Sequence, residues 1–480
     1  MNTKSLKRNF LYSSSYQILL VITPLITTPW LSRTIGAEGN GIFTYTQTIA
    51  NYFVMASTLG LANYGVRIIA ECGDNRDRRS LIFWQTITMS IIVGFIVFLA
   101  YILYSITLGS SYRVYFAIWG LWVLGSVGDT SWLFFGCQEF KLPTIRSSIT
   151  RLISVAIILL YVHNPNDTWI YVFAISSAYF VNSIFLWPFV FRYINWKQPT
   201  LKDSFSHLIP NIALFIPVLA TSLYTLMDKV MLGSIAGMTQ VGLFDYAEKT
   251  AKMPLSVITA LGAVVLPRMS SMISEGKIEE CKSLVGDTMW FMQTCAIAIS
   301  FGISAVAPEF VPLFFGEGYA ELVTLMRLLS TLLPLICATN VIGVQWLLPL
   351  HHDKEFTLSV LFGAGVDIIF NISLIDRYGA LGAAVATIFA EIIVLIIQSI
   401  YVSKELRVRL LIYPCLPYVV IGYIMYLLIR FISMILPIGW LSLLVETCLG
   451  ALVYILLSVL WSQRMENERL RNVLPRLARE

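Results

Sequence analysis

Charge is scarce in this sequence. Of 480 residues, 13% are Asp, Glu, Lys or Arg, against 57% hydrophobic. Mean hydropathy is +0.75, which excludes a soluble globular fold and fits a chain whose main solvent is lipid. Histidine is rarer still, four in all, and no Cys/His spacing fits a metal site. His351, His352 and Asp353 are adjacent, so they cannot share a helical face as ligands. The seven cysteines fall in expected spans or on the expected cytoplasmic side, so no disulfide is implied. No Ser/His/Asp set points to catalysis, and the loops are too short for a catalytic domain; an enzyme is not expected. No Ala-x-Ala-like site follows the first apolar run, which therefore reads as a span rather than a removed leader. The glycine-rich GAEGNG (36–41) has no strand before it and reads as a tight turn between spans, not a nucleotide loop.

Long apolar runs are what the chain has in abundance. A spanning helix needs roughly 20 mostly apolar residues, and fourteen such stretches can be marked. The first half gives about 10–31, 42–62, 81–106, 112–136, 146–163 and 168–191. The second gives about 208–235, 241–267, 285–307, 321–347, 357–374 and 378–401. Two more follow at about 413–432 and 438–461. With the N-terminus and every loop after an even-numbered span placed in the cytoplasm, those segments hold 25 of the 33 basic residues. The outer segments hold three, Arg33, Arg113 and Arg377. So strong a bias sets the topology, with both ends cytoplasmic. It also accounts for the net charge of +5 without a nucleic-acid partner.

The chain repeats itself. Shifted by 201 positions without a gap, Leu31 to Arg67 lies over Leu232 to Arg268, with nine of 37 positions identical. Among them are Gly36/Gly237, Gly41/Gly242, Phe43/Phe244, Tyr45/Tyr246 and Arg67/Arg268. The shift carries span 1 onto span 7, an even displacement, so the halves are parallel repeats. The expected architecture is all-α: lobes at 1–201 and 202–402, then two further helices and a basic tail at 403–480.

Besides Arg113, Arg146 and Arg151, counted above with the segments at span ends, five basic residues lie inside spans: Lys229, Lys249, Lys252, Arg327 and Arg430. An ionisable group at bilayer depth costs ~2.5–3.5 kcal/mol on insertion scales, so it needs a wet cavity or a partner. Asp245, Glu248, Lys249 and Lys252 follow i, i+3, i+4, i+7 spacing, one face of span 8. Their repeat equivalents on span 2 are Thr44, Gln47, Thr48 and Asn51, all polar. Two paired stripes in one register point to a shared polar surface. Asp228 and Lys229 add charge to span 7, and Arg67 and Arg268 close spans 2 and 8. The competing readings are ion pairs that only ease insertion, and arginines that only anchor topology. Arg430 and Glu446 on the last two spans are expected to pair. Prolines 24, 29, 210 and 217 are expected to interrupt the helices that start each half.

Several stretches resemble a known family: PLITTPWLSRTIGAEGNGIFTYTQTIANYF (24–53), STLGLANYGVR (57–67), LYTLMDKVMLG (223–233), VGLFDYAEKTAKMP (241–254) and LPRMSSM (266–272). They resemble the Wzx-type flippases of O-antigen and exopolysaccharide repeat units, in the multidrug/oligosaccharidyl-lipid/polysaccharide exporter superfamily. The resemblance implies two six-helix lobes around a central, often cationic cavity in a bacterial inner membrane. It implies transfer of an undecaprenyl-pyrophosphate-linked oligosaccharide from the cytoplasmic to the outer leaflet by alternating access. The candidates for holding that anion are Arg67, Lys229, Lys249, Lys252, Arg268 and Arg327, with Thr44, Gln47, Thr48 and Asn51 lining the cavity. Asp228, Asp245 and Glu248 make it mixed rather than purely cationic and are candidates for H+ or Na+ coupling; no other cofactor is implied. Membrane lipids are expected neighbours, and the polysaccharide polymerase and other assembly proteins are candidate partners. The rival readings are a cation-coupled drug or small-molecule antiporter of the same superfamily, a membrane polysaccharide polymerase or ligase, and a structural or scaffold protein. A polymerase would need a large outer loop, and a scaffold would not need paired polar stripes.

Overall fold

The structure, a computed structural model, describes residues 3–107 and 110–464. The basic tail expected beyond residue 464 lies outside the described residues. Two compact units divide the chain, Met1–Gly242 and Leu243–Glu480. Twenty α-helices and no strand occur among the described residues.

The first unit holds α1 (Thr3–Thr34), α2 (Gly36–Thr58), α3 (Leu61–Ala70), α4 (Arg76–Thr107), α5 (Arg113–Val127) and α6 (Ser131–Gly136). It continues with α7 (Lys141–Tyr161), α8 (Thr168–Phe185), α9 (Trp187–Val190), α10 (Leu201–Ser206) and α11 (Leu208–Ile235). The division falls inside α12 (Met238–Lys252). The second unit continues through α13 (Leu255–Ser274), α14 (Ile278–Phe314), α15 (Ala320–Ser330), α16 (Leu332–Thr339) and a π-helical turn, Asn340–Leu347. It ends with α17 (Asp353–Tyr401), α18 (Val408–Ile412), α19 (Leu416–Ser433) and α20 (Trp440–Arg464). Among the described residues, nine helical segments are long and apolar enough by themselves to cross a bilayer. The 49 residues of α17 are broken at Gly379, whose φ is +54°, so this segment supplies two of the expected spans. The fourteen apolar stretches are all helical: 321–347 takes α15, α16 and the π-helical turn, 357–374 and 378–401 share α17, and the others fall on one or two consecutive α-helices.

The repeat has a structural signature where α1 meets α2 and where α11 meets α12. Gly36 and Gly237 both take positive φ, +71° and +90°, the left-handed conformation that stops a helix with least strain at glycine. Just before them, Ile35 N donates to Leu31 O (2.9 Å), and Ala236 N donates to Leu232 O (2.8 Å). GAEGNG is therefore not a loop. Gly36 alone makes the turn, and α2 starts on it.

The glycines that follow let two backbones meet. A Cβ placed on Gly41 would lie 1.7 Å from Met238 O, and one on Gly242 would lie 1.8 Å from Ala37 O. The two contacts exchange under the 201-residue shift.

Elsewhere the repeat is less regular. Expected span 2 breaks at Leu59–Gly60, between α2 and α3, while expected span 8 breaks at Met253–Pro254, between α12 and α13. Pro254 has no N–H to continue the helical ladder; the equivalent of that break in span 2 stays helical. The prolines do not break the starting helices. Pro24 and Pro29 lie within α1, and α11 runs from Leu208 to Ile235 as one helix.

Lipid tails are as apolar as leucine, so close packing and interhelical hydrogen bonds hold such helices together. In the first unit Phe43 stacks on Tyr171 at 3.9 Å, and Trp119 Nε1 donates to Thr46 Oγ1 at 3.0 Å. Ser57 and Ser126 hydroxyls meet at 2.6 Å. In the second unit Trp290 Nε1 donates to Tyr418 OH at 3.1 Å, and Tyr454 OH donates to Thr294 O at 2.8 Å. These bonds tie α19 and α20 to α14.

One expected pair is corrected. Arg430 does not bond Glu446; its Nη1 reaches both carboxylate oxygens of Glu309 at 2.8 Å and Ala305 O at 3.0 Å. The cause is the length of α14, which continues to Phe314 and brings Glu309, expected in an outer loop, beside α19. Glu446 is buried, and its Oε2 has no hydrogen-bond partner among the described residues.

Candidate functional site

Helix α12 carries four charged side chains in 15 residues. Lys249 Nζ lies 2.6 Å from Asp245 Oδ2, and Lys252 Nζ lies 2.8 Å from Glu248 Oε1. Both pairs place the acid four residues before the base, the favourable order on a helix. The lysines also occupy the last turn of α12, where cations suit the helix dipole. Burial within the first pair is lopsided: the Asp245 side chain is 0% exposed and that of Lys249 48%. The carboxylate is the buried root and the ammonium the accessible head. Such a face can offer cations to an anion while carrying no net charge.

In the first unit, α11 runs along α2. A Cβ on Gly233 would sit 2.2 Å from the Tyr45 ring, and Tyr52 OH donates to Ser222 O at 3.4 Å. Asp228 and Lys229, both buried, are thus on a helix packed against the polar-striped one. Within the stripe Thr44 and Thr48 are buried, and Gln47 and Asn51 are half-buried. Thr48 Oγ1 donates to Thr44 O at 2.8 Å, while Thr44 Oγ1 is buried with no partner among the described residues.

The remaining candidates make other contacts. Arg67 is exposed on α3 and bonds Glu71 at 3.1 Å. Arg268 is exposed on α13. Arg327, half-buried, donates from Nε to Ser304 O at 3.1 Å and so joins α15 to α14. Other intramembrane acids make packing contacts: Glu391 accepts from Thr339 Oγ1 at 2.6 Å, and Asp367 accepts from Asn371 Nδ2 at 3.0 Å.

Two polar arrangements were not anticipated. The π-helical turn sets Gln345 Nε2 3.4 Å from Asn340 Oδ1 and leaves Gln345 Oε1 buried without a partner among the described residues. A turn of this kind inside a helix often marks a functional position; two amides in one apolar run were its signal in the sequence. His207, between α10 and α11, joins Tyr64 OH (2.6 Å from Nδ1) to Gln85 Oε1 (3.3 Å from Nε2). Burial lowers its pKa, with Asp203 opposing the shift.

The helices, their glycine-mediated crossing and the ion pairs set into them define a multi-pass membrane protein built on an internal repeat. More particularly, the chain belongs to the family described as polysaccharide biosynthesis proteins, whose model matches residues 6–273. It is 28% identical over 413 residues to an Escherichia coli K12 protein named "Putative O-antigen transporter", covering 84% of this chain and 99% of that one. A shorter match, 22% identical over 162 residues, is to the Bacillus subtilis protein "Lipid II flippase MurJ", covering 33% of this chain and 30% of that one. Among solved structures, a lipid II flippase MurJ in an inward closed conformation superposes with TM-score 0.75 at 15% identity, over 95% of this chain and 99% of that one. An inward-facing multidrug transporter of the MATE family superposes with TM-score 0.57 at 15% identity, over 80% and 98%. Both likenesses establish the fold alone. They bear out the all-helical membrane fold expected from the sequence.

Proposed function

We propose that this protein is a flippase that carries undecaprenyl-pyrophosphate-linked oligosaccharide repeat units from the cytoplasmic to the outer leaflet for surface polysaccharide assembly. Alternating access is the proposed mechanism, and the bacterial inner membrane, with both termini cytoplasmic, the proposed location. The lobes at 1–201 and 202–402, with 403–480 appended, belong to the same reading. The observation that carries it is the charged face of α12. Accessible ammonium heads on buried carboxylates suit a polyanionic headgroup that must be gripped and then released, because each lysine has a carboxylate to return to when the phosphates leave. Arg67, Lys229, Arg268 and Arg327 are the further cations assigned to the path, and Thr44, Gln47, Thr48 and Asn51 its neutral polar lining. The names of the relatives support a lipid-linked sugar as cargo. Asp228, Asp245 and Glu248 are the proposed sites at which H+ or Na+ would couple to transport. Membrane lipids and the polysaccharide polymerase are proposed neighbours, and no chemical step is assigned to the protein.

The test is a strain lacking this protein. Complete repeat units on the lipid carrier should accumulate facing the cytoplasm and return to normal on complementation. Normal delivery to the outer leaflet, with drug sensitivity as the only defect, would favour the antiporter instead.

A further inference from the structure

An open groove of about 580 Å³ lies between the end of α17 and the short helix α18, away from the charges of α12. Its size falls within the ~300–1,000 Å³ typical of small-molecule sites. Leu395, Ile396, Ile400, Leu406 and Ile412 form most of the wall. Ser399 and Ser403 also line it, but their hydroxyls donate to Leu395 O (2.6 Å) and Ile400 O (2.7 Å). The surface they offer is therefore largely hydrocarbon.

Arg407 and Arg409 stand at this groove. Both are exposed, and neither guanidinium has an ion pair or hydrogen bond among the described residues. The neighbouring carboxylate, Glu405, is engaged elsewhere: Trp346 Nε1 donates to it at 3.0 Å, and His352 Nε2 lies 3.6 Å away. Lys404 adds a third cation to the segment. Around it Ile396, Ile400, Leu410, Tyr413 and Leu416 are exposed, as side chains that face lipid are, with a tyrosine where interfacial aromatics gather. The groove thus has a hydrocarbon floor and two free guanidiniums at the end of a spanning helix.

We propose that this groove binds one anionic glycerophospholipid of the cytoplasmic leaflet, its phosphate held by Arg407 and Arg409 and an acyl chain lying along Ile396, Ile400 and Ile412. Guanidinium forks match phosphate oxygens in geometry and charge, and basic residues beside a spanning helix attract anionic headgroups. The occupant is a resident lipid, so the inference does not depend on the transported cargo.

Native mass spectrometry of the delipidated full-length protein, with phosphatidylglycerol or phosphatidylcholine of matched chains added, tests this. Wild type should retain phosphatidylglycerol preferentially, and each of Arg407→Gln and Arg409→Gln should cut that preference about fivefold. Arg407→Lys with Arg409→Lys should keep most of it. Ser399→Trp, which fills the groove without changing charge, should displace the phospholipid too, and it carries the test if the arginine variants do not fold. Undiminished phosphatidylglycerol on both the glutamine and the tryptophan variants would overturn the proposal. Equal competition by inorganic phosphate at matched ionic strength would show a simple anion site, and preferential displacement by undecaprenyl phosphate a site for the carrier lipid; either result also overturns it.

Discussion

Gly41 and Gly242 are partners across the internal repeat: each occupies the one place on its helix where a carbonyl of the other helix leaves no room for a side chain. Met238 O stands 1.7 Å from where a Cβ of Gly41 would be, and Ala37 O stands 1.8 Å from that of Gly242. Backbones this close gain dispersion and Cα–H···O contacts that larger residues forbid. Neither obstacle can move aside, because both are main chain.

Gly41→Ala and Gly242→Ala should each cost at least about 3 kcal/mol, the upper end of ordinary overpacking. Folded monomer in detergent, measured by fluorescence-detected size exclusion, should fall sharply for both. Gly365→Ala, where nothing lies within 4 Å of the added carbon, should leave the yield unchanged.

The Asp245–Lys249 pair predicts different effects for one change and for two. Lys249→Ala leaves a fully buried carboxylate without its cation, which should cost about 1–3 kcal/mol once the half-exposed lysine is discounted for solvent. Asp245→Asn with Lys249→Gln should recover most of that stability and recover none of the transport. Melting temperature and complementation of the deletion strain, scored together, separate the two roles. Full transport by the double variant would make the pair an aid to insertion only.

Arg430 and Glu309 form a pair whose two sides are both largely buried, 24% and 10% exposed. Removing one charge from a buried pair costs about 3–5 kcal/mol, whereas replacing both with apolar residues is often neutral. Arg430→Met should therefore lower the melting temperature strongly, and Arg430→Met with Glu309→Leu should restore it. Loss of transport in a stable double variant would give the last two helices a direct part in the cycle.

His207 makes stability depend on pH. Burial lowers its pKa, so the folded protein holds this ring neutral while the unfolded chain still takes up a proton near pH ~6.5. The stabilisation is complete above that pH and is lost as pH falls through it toward the lower folded value. Melting temperatures at pH 7.5 and 5 should differ more for wild type than for His207→Gln. Equal differences would place the pH response elsewhere.

The helices were legible because lipid imposes length and apolarity on each segment, and the basic residues gather in alternate loops. The repeat was legible for a related reason: Gly36, Gly41, Gly237 and Gly242 serve backbone geometry, which tolerates few substitutions. The two ion pairs of α12 could be read from their spacing, because partners four residues apart on a helix must meet. Contacts set by tertiary placement could not. Arg430 found Glu309 because α14 runs beyond the expected end of its span, and no local pattern announces how far a helix continues. The breaks at Leu59–Gly60 and Met253–Pro254 differ between the repeats, since Pro254 has Phe53 as its counterpart. The π-helical turn at Asn340–Leu347 leaves no mark in the apolar periodicity; only the amides Asn340 and Gln345 point to it.

The most direct test of flipping uses the purified protein in liposomes that contain a fluorescently tagged, undecaprenyl-pyrophosphate-linked oligosaccharide. A membrane-impermeant quencher reports how much tag is reachable from outside, before and after the protein is added. Wild type should make inner-leaflet substrate reachable within the assay, while Asp245→Asn with Lys249→Gln, folded but lacking the paired charges, should not. A wild-type protein that leaves the inner pool protected, or a double variant that flips as fast as wild type, would contradict flipping through the α12 charges.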